Sequence, residues 1–264
     1  MHTSVTPLLA GCRVFVSGGT AGVGAAIARA AARTGASAVT VSGRGAEVGE
    51  AIAAELSSLG ADGRYMRTDL ADLATTRTTF EEAVALMGGL DVLVNAAGLT
   101  DRGSILDTSE ELFDRHVAVN LKAPFFLMQA AVEPLRDAGG GTIVNIISSA
   151  ELAGPPHLAP YVAAKAGLAG LTKNVANALA RDRIRVNGVD IGWTDTEGED
   201  RTQRRFHGAG DDWRNQAGKT LPLGRLGDPD EIGDFVVFLA SPRSGVVTGS
   251  IIDWDQLIPG AYSW

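Results

Sequence analysis

A chain of 264 residues, 45% hydrophobic and 20% charged, is long enough to bury a sizeable core, and a formal net charge of −8 works against nucleic acid or an anionic membrane as its main partner. Cys12 is the sole cysteine, which excludes intrachain disulfides and cysteine-rich zinc sites. With no 18-residue apolar span and no charged n-region ahead of an apolar one, a cytoplasmic location is expected.

Residues 13–17 (RVFVS) are β-branched and aromatic, and they run into Gly18-Gly19-Thr20-Ala21-Gly22-Val23-Gly24. An alanine-rich helical stretch follows to about residue 34. Further apolar strands are predicted at 38–41, 65–67, 91–94, 142–147, 185–190 and 250–253, with helical patterns between most of them. Near-continuous apolar runs such as VLVN and IVNII imply burial on both faces. That favours a parallel sheet of about seven strands between helix layers, with ligand at the carboxyl ends of the strands. No window has linker composition and no repeat is visible, so one α/β domain over residues 1–264 is expected. The exception to the rhythm is 192–226, long, polar and holding Trp193, Phe206 and Trp213, which is expected to be a loop serving as a lid.

Two patterns carry chemistry. Glycines between a first strand and its helix let the backbone approach a pyrophosphate at the helix N-terminus, and Gly18, Gly22 and Gly24 form Gly-x3-Gly-x-Gly here; a merely tight turn is the plain alternative. Tyr161 and Lys165 stand four apart, on one face of a helix, thirteen and seventeen residues after Ser148. A free phenol titrates at about 10, so a nearby ammonium that stabilises phenolate would bring Tyr161 toward working pH, with the Ser148 hydroxyl binding the oxygen that exchanges the proton. Tyr-x-x-x-Lys also occurs by chance in helices, where it does nothing.

The second strand ends Val41-Ser42-Gly43-Arg44. Gly43 stands where a dinucleotide site for NAD would place an acid, whereas Arg44 could fork onto a 2′-phosphate beside the hydroxyl of Ser42, so NADP(H) is favoured over NAD(H). Arg44 stacking on the adenine is the alternative. Asp69, before Leu70, is either a contact to the adenine or an N-cap for a helix over 71–87. His116 and His157 lack partners at metal-ligand spacing, so no metal is expected, though His157 lies between Ser148 and Tyr161, where a substrate pocket would be. Arg201, Arg204 and Arg205 read as a solvated face, with contact to an anionic substrate as the sharper alternative.

Taken together these residues resemble the short-chain dehydrogenase/reductases over nearly the whole chain. Ser17-Gly18-x3-Gly22-x-Gly24 is similar to that family's cofactor loop, Asn95-Ala96-Ala97-Gly98 to its Asn-Asn-Ala-Gly strand end, Asn120 in VNLKAPF to its catalytic asparagine, and Ser148, Tyr161 and Lys165 to the rest of its catalytic set. RVNGVDIGWTDT is similar to the segment closing on the nicotinamide, which places Ile191, Gly192 and Thr196 at the cofactor. Two departures stand out: Ile191 replaces a proline, and WDQL at 254–257 replaces Val-Asp-Gly-Gly. Ala21 also lacks the basic residue that many NADP-using members carry there.

The resemblance implies a Rossmann-type doubly wound sheet, with a cofactor half at roughly 10–145 and a catalytic half at 146–264. It implies an oxidoreductase in which Tyr161 is the general acid or base. Lys165 would lower its pKa and hold the nicotinamide ribose, Ser148 would bind the substrate oxygen, and Asn120 would position a water. Thr20, Val23 and the loop glycines would hold the pyrophosphate. A homotetramer is implied too, with apolar residues at 125–135 and 168–171 as its faces. A nucleotide-sensing protein would not need all four catalytic residues, enoyl reductases usually space Tyr and Lys more widely, and epimerases are generally longer. The polar lid and the WDQ ending lean toward a sugar or polyol, with a 3-oxoacyl thioester or hydrophobic ketone as the alternative.

Overall fold

The computed structural model describes residues 7–258; residues 1–6 and 259–264 of the 1–264 span lie outside the described residues. Seven strands form one sheet in the order β3-β2-β1-β4-β5-β6-β7. They are β1 (Arg13–Ser17), β2 (Ala38–Gly43), β3 (Asp62–Arg67), β4 (Val92–Asn95), β5 (Gly141–Ile146), β6 (Ile184–Ile191) and β7 (Ile251–Trp254), and every pairing is parallel. The chain starts at β1, winds outward to β3, then crosses back to β4 on the other side of β1. The crevice above β1 and β4 is therefore the switch point where a ligand is admitted between diverging loops. Register puts Ser17 between Ser42 and Asn95 at that rim.

Helices α1 (Gly22–Arg33) and α9 (Pro229–Ala240) cover one face of the sheet, with Val16, Ile27, Val144, Val189 and Val236 in the shared core. The alanines of α1 let α9 come close, and a Cβ on Gly233 would lie 2.9 Å from the Ala26 carbonyl oxygen. The other face packs against α3 (Leu73–Met87), α5 (Ala123–Asp137) and α6 (Ala159–Leu179) through Phe15, Phe80, Leu93, Leu127, Met128, Ile143 and Leu168. Each such side chain contributes about 1.5–3 kcal/mol by leaving water. Much of the apolar content of 125–135 is thus directed at the chain's own sheet, leaving Phe125 at 37% exposure.

Where predicted and observed elements differ, the reasons are local. β1 matches its predicted bounds, β4, β5 and β7 are shifted by one residue, and β2, β3 and β6 gain two or three residues because pairing, which the pattern of side chains does not report, continues into turn residues such as Gly43 and Gly63. The segment 192–226 is not a structureless loop: it contains α7 (Glu197–His207) and α8 (Trp213–Lys219). Helix α7 is capped by the Thr196 hydroxyl, which accepts from Glu199 N at 3.0 Å, and its first turn holds Glu197, Glu199 and Asp200, opposite the basic residues of its last turn. Asp69 is not a helix cap. It accepts from Ala71 N at 3.0 Å in a turn, and Asp72 caps α3.

Candidate active site

The glycine loop leaves β1 and enters α1 without any side-chain cap and with no acid in the first turn, so its N–H groups and partial positive charge face the switch point unopposed. Gly18, at φ +73°, would drive a Cβ to 2.5 Å from Ala97 Cα, and a Cβ on Gly24 would sit 2.2 Å from the Gly18 carbonyl oxygen. Only glycine allows this close crossing of loop and helix. A Cβ on Gly22 would meet Thr196 Cγ2 at 3.2 Å, so the base of α7 lies directly against the cradle. An anionic pyrophosphate fits these donors, with Thr20, Val23 and Thr196 around it.

At the ribose end, the Gly43 Cβ position is 2.4 Å from Thr20 Oγ1. The Thr20 side chain therefore fills the volume that a longer residue at 43 would need, and an acid cannot stand there as the strands are arranged. Arg44 is exposed and makes no ion pair among the described residues. Register brings a second cation to the same place, since Gly43 pairs with Arg67 on β3. Sequence separation hid Arg67; only strand neighbourhood reveals it. Ser42 is buried beneath the loop, where its carbonyl accepts from Gly19 N at 3.1 Å.

Asn95 departs from expectation. It is 2% exposed, and its side chain runs inward: Nδ2 donates to Asn145 Oδ1 at 2.8 Å, and Asn145 Nδ2 donates in turn to Thr172 Oγ1 at 2.9 Å. This side chain ties β4 to β5 and α6 and does not face the cofactor cleft. Its neighbour Ala96 is half-buried and Gly98 exposed at the rim, while Leu70 is buried and Asp69 exposed at the adenine end.

Helix α4 (Glu110–Val117) continues into α5 through a π-turn, Ala118–Lys122, and that widened turn carries Asn120. Asn120 Oδ1 accepts from Leu99 N at 2.8 Å, while Nδ2 donates to Leu99 O at 3.0 Å and to His116 Nδ1 at 3.2 Å. His116 Nε2 donates to Asp101 O at 3.0 Å, which fixes the tautomer, and burial lowers its pKa so that the ring is neutral. The Asn120 side chain is thus fully engaged in clamping the loop after β4 and is not available to hold a water. The α-helical donor for its backbone carbonyl would be Pro124, four residues on, which has no N–H to offer.

Tyr161 and Lys165 project from the first turns of α6 and are 9% and 2% exposed. Burial pushes the Tyr161 phenol up to about 12, opposed by the nearby Ser148 hydroxyl; Asp190 and Glu199 raise it further and Arg102 lowers it. The expectation that Lys165 brings the phenol down is not met in this arrangement. Lys165 Nζ stands 5.7 Å from the centroid of the Tyr161 ring and donates to the Ile146 carbonyl at 2.7 Å. Burial lowers Lys165 to about 8, with Asp190 opposing. Ser148 also accepts from Ala150 N at 3.3 Å, and Ser149 begins the short 3-10 turn Ser149–Leu152.

The two sequence departures meet in space. Ile191 extends β6 and pairs with Trp254, a rung that a proline, lacking N–H, would weaken. A Cβ on Gly192 would strike Asp255 Oδ1 at 2.1 Å, and Gln256 holds the far end of the lid by donating to Arg225 O and accepting from Leu223 N, both at 2.7 Å. Asp190, paired in register with Asp253, is 1% exposed, and its Oδ1 has no hydrogen-bond partner; burial pushes it up to about 7, helped by Glu151, Asp253 and Asp255. Nothing in the local pattern marked this carboxyl.

A glycine cradle at the switch point of a doubly wound sheet, with a half-buried serine and a buried tyrosine and lysine, defines a nicotinamide-nucleotide oxidoreductase fold. A family profile described as enoyl-(acyl carrier protein) reductase matches residues 18–256. An L-rhamnose 1-dehydrogenase (NAD(P)(+)) of Azotobacter vinelandii is 36% identical over 244 residues, covering 90% of this chain and 92% of that one. A 3-oxoacyl-[acyl-carrier-protein] reductase of Chlamydia muridarum is 34% identical, covering 94% and 97%. Among solved structures, a short chain dehydrogenase from Burkholderia cenocepacia in complex with NADP superposes with a TM-score of 0.84 at 31% identity, covering 94% of this chain and 98% of that one. The chain belongs to the short-chain dehydrogenase/reductase family of oxidoreductases.

Proposed function

We propose that this protein is an NADP(H)-dependent oxidoreductase interconverting an alcohol and a carbonyl on a small polar substrate, a sugar or polyol being the class favoured. The observation that carries the reading is the buried Tyr161 phenol, with Ser148 acting on it and Lys165 flanking it, beside a cradle shaped for pyrophosphate. The bound nicotinamide supplies or receives the hydride. The chain's residues handle the proton and the alignment: Ser148 holds the substrate oxygen, and Tyr161, protonated as it stands, donates to that oxygen in reduction, whereas in oxidation it first releases its proton and then accepts one from the alcohol as phenolate. Lys165 holds the ribose and keeps positive charge near the phenol. The Asn120 carbonyl binds a water through which the tyrosine is reprotonated. Arg44, with Arg67 beside Gly43, selects the 2′-phosphate.

A second reading, reduction of a 3-oxoacyl thioester, is favoured by Ile105 and Leu106, each 91% exposed on the loop between β4 and α4, which offer an apolar surface to an acyl chain. A panel of polyols, aldoses, hydroxy acids and acyl ketones, followed at 340 nm with NADP(H) and NAD(H) in both directions, separates the two. We extend the reading to a cytoplasmic homotetramer built through α4 to α6, where Phe113 and Phe125 remain 44% and 37% exposed. Light scattering showing a monomer at 27.3 kDa would reject the assembly. Among the described residues no helix is long and apolar enough to cross a membrane, and no cluster of side chains suits a metal.

A further inference from the structure

Three side chains that are far apart in sequence meet at the entrance of the helix that carries Tyr161. The loop after β4 is clamped at Leu99 by Asn120, and four residues on it is stitched to the entrance of α6: Gly103 N donates to His157 O at 2.9 Å and Ala159 N donates to Gly103 O at 3.0 Å. Arg102 is thereby held beside His157, at the start of the helix that carries Tyr161. From the lid, His207 at the end of α7 closes over both. Its ring centroid is 5.1 Å from that of His157, and its Nε2 accepts from Arg102 Nε at 3.2 Å.

What Arg102 lacks is a counterion. No carboxylate among the described residues lies within ion-pair distance of its half-buried guanidinium, whose only other bond is from Nη1 to Thr100 O at 2.9 Å. The acids nearby are occupied: Asp101 lies 3.9 Å from Arg115 and 3.7 Å from Arg205, and Glu199 Oε1 accepts from Trp193 Nε1 at 2.8 Å and from Gln203 Nε2 at 2.7 Å. Both N–H groups of Nη2 and one of Nη1 remain unpaired, which is the planar fork that matches a carboxylate. A half-buried cation left without a partner is costly, and a ligand that supplies the anion removes the cost.

We propose that Arg102 anchors an acid group on the substrate, and that the substrate is a hydroxy acid or its oxo counterpart, sugar acids included. His157 and His207 line this anchor, and the His207 bond to Arg102 couples its filling to closure of α7. The assignment narrows the oxidoreductase reading and rests on it.

The test pairs substrates that differ only in the acid, such as a hydroxy acid and its amide, assayed with the wild type, Arg102→Ala and Arg102→Lys. The wild type should prefer the acid. Arg102→Ala should raise KM for the acid about 10- to 100-fold, the worth of a charge-assisted pair, with the amide and NADP(H) affinity unchanged. Arg102→Lys, which keeps the charge and loses the fork, should fall between. Simple carboxylates should inhibit the wild type competitively against the acid substrate, a readout that depends on no variant folding. Turnover of amides equal to that of acids, or equal losses on both in Arg102→Ala, overturns the acid anchor and leaves the oxidoreductase standing. No hydride transfer with any member of the panel overturns both.

Discussion

Lys165 Nζ donates to the Ile146 carbonyl oxygen across 2.7 Å, and that bond, not one to Tyr161, sets where its charge sits. The four-residue spacing puts both side chains on one face of α6, yet the ammonium reaches past the phenol to the end of β5. It pins the helix to the sheet. Its burial also makes it the group whose charge is most easily lost.

The reductive reaction is therefore expected to hold steady below pH 8 and to fall above it. Lys165, at about 8, loses its proton first, while Tyr161, at about 12, keeps the proton it donates. A rate still level about 1.5 units higher would show that the charge on Lys165 is not needed. Tyr161→Phe should cost about 10²- to 10⁴-fold or more in kcat with little change in cofactor affinity, and a variant retaining a tenth of the rate would remove Tyr161 from the mechanism.

Cofactor preference is expected to rest on Arg44 and Arg67 together. Alanine at either should weaken NADPH by about tenfold or more and leave NADH nearly unchanged, with losses that shrink in salt. Because Thr20 occupies the space beside Gly43, Gly43→Asp alone should weaken both cofactors by collision. Adding Thr20→Gly should clear the space and turn preference to NADH. Fluorescence titration of both cofactors distinguishes these outcomes, and equal binding of the two by the wild type would place Arg44 on the adenine instead.

Asp190 is expected to make stability fall as pH rises. Its folded pKa, about 7, lies above the ordinary carboxyl value, so the folded chain holds a proton that the unfolded chain has lost. The penalty is absent below the unfolded pKa of about 3.9, grows between there and 7, and is constant above. Asp190→Asn removes the titration. Its Tm relative to wild type should climb steadily from pH 4 to 7, and a difference independent of pH would show that Asp190 titrates normally.

Gln256→Ala should loosen the far end of the lid while sparing the catalytic side chains. Two bonds are lost, worth about 1 kcal/mol each, and both lie between the chain after β7 and the stretch from Leu223 to Arg225. Hydrogen exchange should quicken at Leu223 and its neighbours before it changes in β6. Unaltered exchange there would mean that Asp255, packed on Gly192, suffices.

The sequence by itself determined the sheet and singled out Ser148, Tyr161 and Lys165 as candidates, because glycine spacing, apolar periodicity and an i, i+4 pair are local and survive any detail of packing, while Asn120 came only with the family resemblance. Tertiary structure alone decided what those residues touch. It turned Asn95 inward to Asn145, engaged the Asn120 side chain with Leu99, set Arg67 beside Gly43, filled the acid's place with Thr20 and left Asp190 without a partner. It also gathered Arg102, His157 and His207 at the entrance of α6. Burial, desolvation and unpaired charge depend on neighbours brought together across the sheet, and separation along the chain carries no record of them.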